Sequence, residues 1–176
     1  MIVKVPTKCL IKCKNFESGD ANRKALQGTL ITKGEIVATD GQVIIKISDD
    51  RAETESPVVA RFAKYDLFRL MGSGSEMSEL DTDKLVAVSV GKKGARRVCF
   101  DIINEPFPDY QSIFKHFDTV QPESFTGFEF AIDVKLLQKF NDSVKLTVKS
   151  REDTILVTPV NSLIKYVGII MPVRID

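Results

Sequence analysis

Apolar residues recur along this chain at two spacings, and the order in which the spacings appear repeats. From Met1 to Val5 the pattern reads as a short strand, and Pro6 suits the first turn of a following helix because its φ is fixed and it has no N–H to satisfy. In that helix Cys9, Cys13 and Phe16 fall on one face, and Lys8 and Lys12 on another. A polar loop, 17–24, leads to three predicted strands, Ala25–Thr32, Glu35–Ala38 and Gln42–Ser48. Lys33-Gly34 and Thr39-Asp40-Gly41 separate them, the second being a strong hairpin signal.

After an acidic loop from Asp49 to Glu55 the pattern begins again. Pro57–Ala60 is extended, and Arg61–Met71 has helical spacing through Phe62, Tyr65, Leu67, Phe68 and Met71. Gly72-Ser73-Gly74-Ser75 ends that helix and opens a predicted loop reaching to about Asp83. Strands Leu85–Val90 and Arg96–Ile103 then flank Gly91-Lys92-Lys93-Gly94. Glu105 to Phe114 follows as a stiff, extended exit, since Pro106 and Pro108 restrict themselves and the residues before them.

A third pass starts after Gln121-Pro122-Glu123-Ser124. Phe128, Phe130 and Ile132 alternate as a strand does, and Asp133 can cap a helix carrying Val134, Leu136, Leu137 and Phe140. Strands Val144–Lys149, Thr154–Pro159 and Tyr166–Pro172 complete it. Strand, helix, strands, three times over, is an internal repeat of about 55–60 residues. The expected class is α+β, with antiparallel sheets, amphipathic helices on one face, and strand edges hidden by pairing between units.

Composition narrows the function. A hydrophobic fraction of 43% over 176 residues fits a globular core. The net charge of +1 argues against coating nucleic acid or membrane by bulk charge, so any nucleic-acid role must come from clustered Lys and Arg. Cys9, Cys13 and Cys99 have no framework spacing, which suggests free thiols in a reducing compartment. Cys9 and Cys13 have the spacing of a metal pair on a helix, but His116 is the sole histidine and no second pair could complete a site, so no metal or cofactor is expected. No signal-peptide core and no run near the roughly 20 apolar residues of a membrane span is present, so a cytoplasmic location is expected.

No catalytic constellation stands out. There is no Ser-His-Asp grouping and no glycine-rich phosphate cradle, and acidic runs such as Asp49-Asp50 and Glu152-Asp153 read as solvated loops. An enzyme is not expected. The predicted helices instead share basic polar faces: Lys8 and Lys12, Arg61 and Lys64, Lys135 and Lys139. Such strips either are solvated faces or track a phosphate backbone without reading bases.

Four segments occur in an order that resembles one family: Val37-Ala38-Thr39-Asp40-Gly41, Ser56-Pro57-Val58-Val59 leading to Leu70-Met71-Gly72, Phe107-Pro108-Asp109-Tyr110, and Tyr166-Val167-Gly168-Ile169-Ile170-Met171-Pro172-Val173-Arg174. The family is the bacterial sliding clamp, the beta subunit of the replicative DNA polymerase. The resemblance implies the DNA-clamp processivity fold, here shortened. Residues 1–118 resemble its middle domain, with half-units 1–55 and 56–118, and residues 119–176 resemble the second half of its last domain.

The resemblance also implies sites. A cleft for linear peptides of polymerases, clamp loaders and repair factors would be lined by Leu26, Thr39, Gly41, Gln42, Val43, Ile44, Pro108, Ser112, Ile113, Ile169, Ile170, Met171, Pro172, Val173 and Arg174. Duplex DNA would be met without sequence specificity by Lys8, Lys12, Arg23, Lys24, Arg61, Lys64, Lys135 and Lys139. The chain departs from the family at Gln42-Val43 and Gln111-Ser112, where basic residues are common, and it continues to Asp176. The resulting expectation is a non-enzymatic processivity factor acting as a homo-oligomer. The alternative is a clamp mimic that does not encircle DNA and sequesters clamp-binding proteins.

Overall fold

In the computed structural model the described residues are 1–121, 131–149 and 153–171. Ile2–Pro6 (β1) leads directly into helix Thr7–Lys14 (α1), and three strands follow: Thr29–Thr32 (β2), Glu35–Thr39 (β3) and Val43–Ser48 (β4). The second pass is Val58–Arg61 (β5), helix Lys64–Met71 (α2), then Met77–Asp81 (β6), Val86–Gly91 (β7), Gly94–Cys99 (β8) and the short Asp101–Ile102 (β9). Helix Tyr110–Thr119 (α3) precedes the last group: helix Val134–Gln138 (α4) and strands Val144–Thr147 (β10), Ile155–Pro159 (β11) and Tyr166–Ile170 (β12).

All strand pairing is antiparallel, and the first two passes exchange their opening strands. β1 pairs with β6, in register Ile2↔Asp81, and so joins the four-stranded sheet β1-β6-β7-β8. β5 pairs with β2, in register Thr29↔Ala60. The larger sheet runs β10-β11-β12-β4-β3-β2-β5-β9, so the first and last groups join within it at the β4–β12 seam. Two strand edges that would template aggregation are thereby covered.

The alternation of side chains along the eight-stranded sheet makes two cores. Ile31, Ile36, Ile45 and Ile47 face one side, in one core with Leu10 of α1, Leu67 and Leu70 of α2, and Leu136 of α4; α1 packs on β2 and β3, and α2 beside it on β7 and β8. Leu30, Val37, Ile44, Val59 and Ile169 face the other and meet Tyr110 and Phe117 of α3. The three helices of the repeat thus share one face, and α3 is an addition that covers the opposite one.

Several expected elements shift. The predicted strand Ala25–Thr32 begins only at Thr29, because Lys24–Leu26 forms a 3₁₀ turn. Arg61 ends β5 instead of starting a helix, with its guanidinium 2.8 Å from Asp101. The loop predicted to reach Asp83 contains strand β6, in which Ser78 and Leu80 are buried between exposed neighbours. Arg96–Ile103 divides at Phe100, with β8 in one sheet and β9 in the other. The extended exit is extended only to Asp109, whose carboxylate accepts the Ser112 N–H at 3.2 Å and caps α3. Phe128, Phe130 and the end of the predicted strand at Pro172 lie outside the described residues, and Ile132 is in no strand.

Buried polar groups near α1 behave unequally. Burial pushes the Cys9 thiol up to about 12 and raises the Cys13 thiol well above its ordinary value, so neither forms a thiolate readily. Glu17, with its side chain 4% exposed, lies 2.5 Å from Lys14 and accepts the Thr29 hydroxyl at 2.8 Å. Burial nevertheless raises it from 4.5 to about 6, against the pull of those partners. A carboxyl raised on folding favours the folded state while protonated, and that contribution is lost as pH rises through about 6. Glu17→Gln, which keeps the acceptor for Thr29, is expected to stabilise the protein by about 1 kcal/mol at pH 8. Urea melts from pH 4 to 8 would check it; equal pH slopes for both proteins would contradict it.

Candidate functional site

Beside the β4–β12 seam, the hairpin joining β3 to β4 is built by its own side chains. The Thr39 hydroxyl donates to the Val43 carbonyl at 2.8 Å and accepts the Gly41 N–H at 3.0 Å. The Asp40 carboxylate accepts the N–H groups of Gln42 and Val43, each at 2.9 Å. Gly41 sits at φ +92°, where a side chain would be strained. β12 then lies alongside, with Ile169 opposite Ile44, and the Met171 N–H donates to the Gln42 carbonyl at 2.9 Å.

Pro108 and Ile113, from the start of α3, come over this seam, and Leu26 of the 3₁₀ turn closes one side. The result is an apolar cavity of about 210 Å³ lined by Leu26, Thr39, Gly41, Gln42, Val43, Ile44, Pro108, Ile113, Ile169 and Met171. Two cleft residues implied by the family resemblance, Ser112 and Ile170, are not on it. Ser112 is exposed on α3, its hydroxyl donating to the Asp109 carbonyl at 2.9 Å. Ile170 is 0% exposed and points into the helix-side core, because neighbours on a strand face opposite ways. Pro172, Val173 and Arg174 lie outside the described residues.

Two ion pairs tie the last group to the first. Lys139, just past α4, bonds the Asp40 carboxylate and so holds the hairpin from behind. Burial opposes ionisation of Asp40, but Lys139 and the Val43 and Gln42 amides outweigh it and lower its pKa. Lys12 of α1 sits 2.6 Å from Asp142, donates to the Phe140 carbonyl and lies 4.7 Å from the centre of the Tyr166 ring. The Tyr166 hydroxyl donates to the same Asp142 carboxylate at 3.0 Å. Burial again works against Asp142, and Lys12 and Tyr166 prevail to lower it.

The predicted basic residues therefore divide. Lys64, Lys135 and Lys139 join Lys14 in an open groove of about 560 Å³ between α1, α2 and α4, floored by Ile11, Leu67 and Phe68. Lys14 is absent from the sequence-based set, although its place one turn along from Ile11 was the available signal. Lys8 is exposed on α1 but does not line that groove, and Lys12 is spent on Asp142. Arg23 donates to the Asp40 carbonyl at 3.2 Å, which puts it behind the hairpin, with exposed Lys24 beside it. Arg61, in β5, is paired with Asp101. Among the described residues no group of three or more His, Cys, Asp and Glu side chains could hold a metal ion, and no helix is long and apolar enough to cross a membrane.

No protein-family model matches the sequence, and no curated protein matches it. Solved structures do match the fold. The beta clamp of Helicobacter pylori bound to a DNA ligase peptide superposes with a TM-score of 0.70 at 14% identity, covering 99% of this chain and 66% of that one. The C. crescentus beta sliding clamp gives 0.69 at 17% identity, covering 99% and 65%. The sliding clamp, DNA polymerase III subunit beta, of Bartonella birtlesii bound to griselimycin gives 0.67 at 14%, covering 99% and 66%. The chain has the sliding-clamp fold, and it spans about 66% of the length of such a clamp.

Proposed function

We propose that this protein is a shortened, clamp-like processivity factor that grips linear peptides of polymerase and clamp-loader type proteins in the seam cavity. The observation that carries the reading is convergence: residues from the 3₁₀ turn, the β3–β4 hairpin, the start of α3 and the end of β12 meet around one small apolar cavity. A preformed pocket of this kind suits one or two apolar anchors of an extended peptide. The match to a clamp bound to a DNA ligase peptide supports the same mode.

The lysine-lined groove supports contact with duplex DNA through phosphates, without base reading. In this reading the protein works in the cytoplasm, as a homo-oligomer, and performs no reaction itself. Its two parts correspond to residues 1–118 and 119–176. The ion pairing of Lys12 and Lys139 favours a second reading, a clamp mimic that holds the peptides and does not encircle DNA. Retention on circular duplex separates the two, since only the encircling factor stays on closed circles.

Met171 is 41% exposed on the cavity wall, so Met171→Ala removes a contact without opening the core. Affinity for a fluorescent hexapeptide with two leucines and a phenylalanine is expected to fall about ten-fold, with the melting curve unchanged. Unchanged affinity would count against the cavity as the peptide site.

A further inference from the structure

On the α3 face, the other side of Pro108 forms part of a second groove of about 490 Å³. Its apolar surfaces come from Leu30, Val59, Ile103 and Phe107, and Glu105 and Asp109 stand among its polar lining. Among the described residues no Lys or Arg lines it, in contrast to the helix-side groove with its four lysines. Its size is that of ligand clefts, about 300–1,000 Å³.

The groove also borders an unfinished sheet edge. β9 covers β5 only at Ala60 and Arg61, and the Ile103 N–H makes one further bond, to the Val59 carbonyl at 2.9 Å. The chain then leaves the sheet at Asn104, so among the described residues no strand lies beside Pro57 and Val58 on that side. Pro57 and Val58 line the groove, as does Phe107, whose ring is edge-on to Tyr110 at 6.3 Å. An extended segment fits such a place, its side chains laid over the apolar surface. Glu105 makes no ion pair among the described residues, which leaves a carboxylate for a cation.

We infer that this groove takes the continuation of the peptide seated in the seam cavity, an extended segment alternating apolar with basic residues. The inference rests on the cavity being a peptide site, and Pro108, which lines both spaces, supplies the continuity. The cavity would fix the anchor common to many partners, and the groove would rank partners by what flanks it.

The test compares the fluorescent hexapeptide with versions extended at either end by Val-Arg-Val-Arg or by Val-Glu-Val-Glu. One basic extension is expected to bind about five- to ten-fold tighter than the hexapeptide, and the acidic ones no tighter. Glu105→Lys, on the surface, should cancel that gain and leave hexapeptide affinity untouched, and Phe107→Ala should do the same. Equal binding of basic and acidic extensions, or a gain that survives Glu105→Lys, overturns the groove assignment. Failure of the hexapeptide itself to bind overturns the cavity reading, and the groove inference falls with it.

Discussion

Phe140→Ala is expected to destabilise the protein by about 3–5 kcal/mol, the usual cost of emptying a buried phenylalanine site. Phe140 is 0% exposed, edge-on to Phe16 at 4.9 Å and stacked on Tyr166 at 5.8 Å. It fills its site so completely that a Cβ on Gly168 would come within 2.3 Å of it. The ring comes from the last group of elements and packs on α1's continuation from the first, so it joins the two across the seam. Urea unfolding followed by tryptophan-free probes, such as far-UV dichroism, would measure the loss. A cost below about 1 kcal/mol would mean that the seam closes without it.

Asp40→Ala should act on stability and binding together. The substitution strips an acceptor from two hairpin N–H groups and leaves Lys139, 25% exposed, without its partner. A loss of about 2 kcal/mol is expected, and hexapeptide affinity should fall with it because the hairpin forms much of the cavity wall. Asp40→Asn, which keeps an acceptor for the amides, should recover more of the affinity than of the stability. The same carboxylate sets a pH dependence. Asp40 and Asp142 both titrate below the ordinary aspartate value in the fold, so their support is complete above that value and is lost as pH falls through the folded ones. Glu17 works in the opposite sense, so the seam should weaken in acid while the Glu17 site improves. Native peptide affinity that persists in Asp40→Ala would show the hairpin to be held by its backbone alone.

Much of the fold could be read from the pattern because each strand group is bounded by turns with strong chemistry. Thr39-Asp40-Gly41 and Gly91-Lys92-Lys93-Gly94 announce their hairpins, and Asp133 announces α4. Strand β6 was harder: its buried positions are Ser78 and Leu80, and Thr7 bonds to Ser78 at 2.8 Å, so a hydroxyl stands where an apolar residue is sought. Helix α3 was obscured by the prolines ahead of it, although Tyr110, Ile113, Phe114 and Phe117 carry its period and Asp109 its cap. In the site, resemblance pointed to cavity positions that periodicity alone could not gather. What neither could supply was pairing. That Lys139 faces Asp40 and Lys12 faces Asp142 depends on how the last group docks, and charge alone had placed both lysines with the DNA set.

The exchange of β1 and β5 has a consequence for the order of events on the ribosome. β1 precedes α1 yet has only the Lys4–Glu53 bridge until Met77–Asp81 is out, and the first trio of strands gains its flank only with Val58–Arg61. Neither opening group can settle alone, so a nascent chain holds β1 without its ladder until the second pass is made. The seam cavity comes later still, since Ile169 and Met171 follow its other lining residues in the chain. A copy interrupted before Ile169 would lack the wall those residues supply, so partner capture would wait for β12.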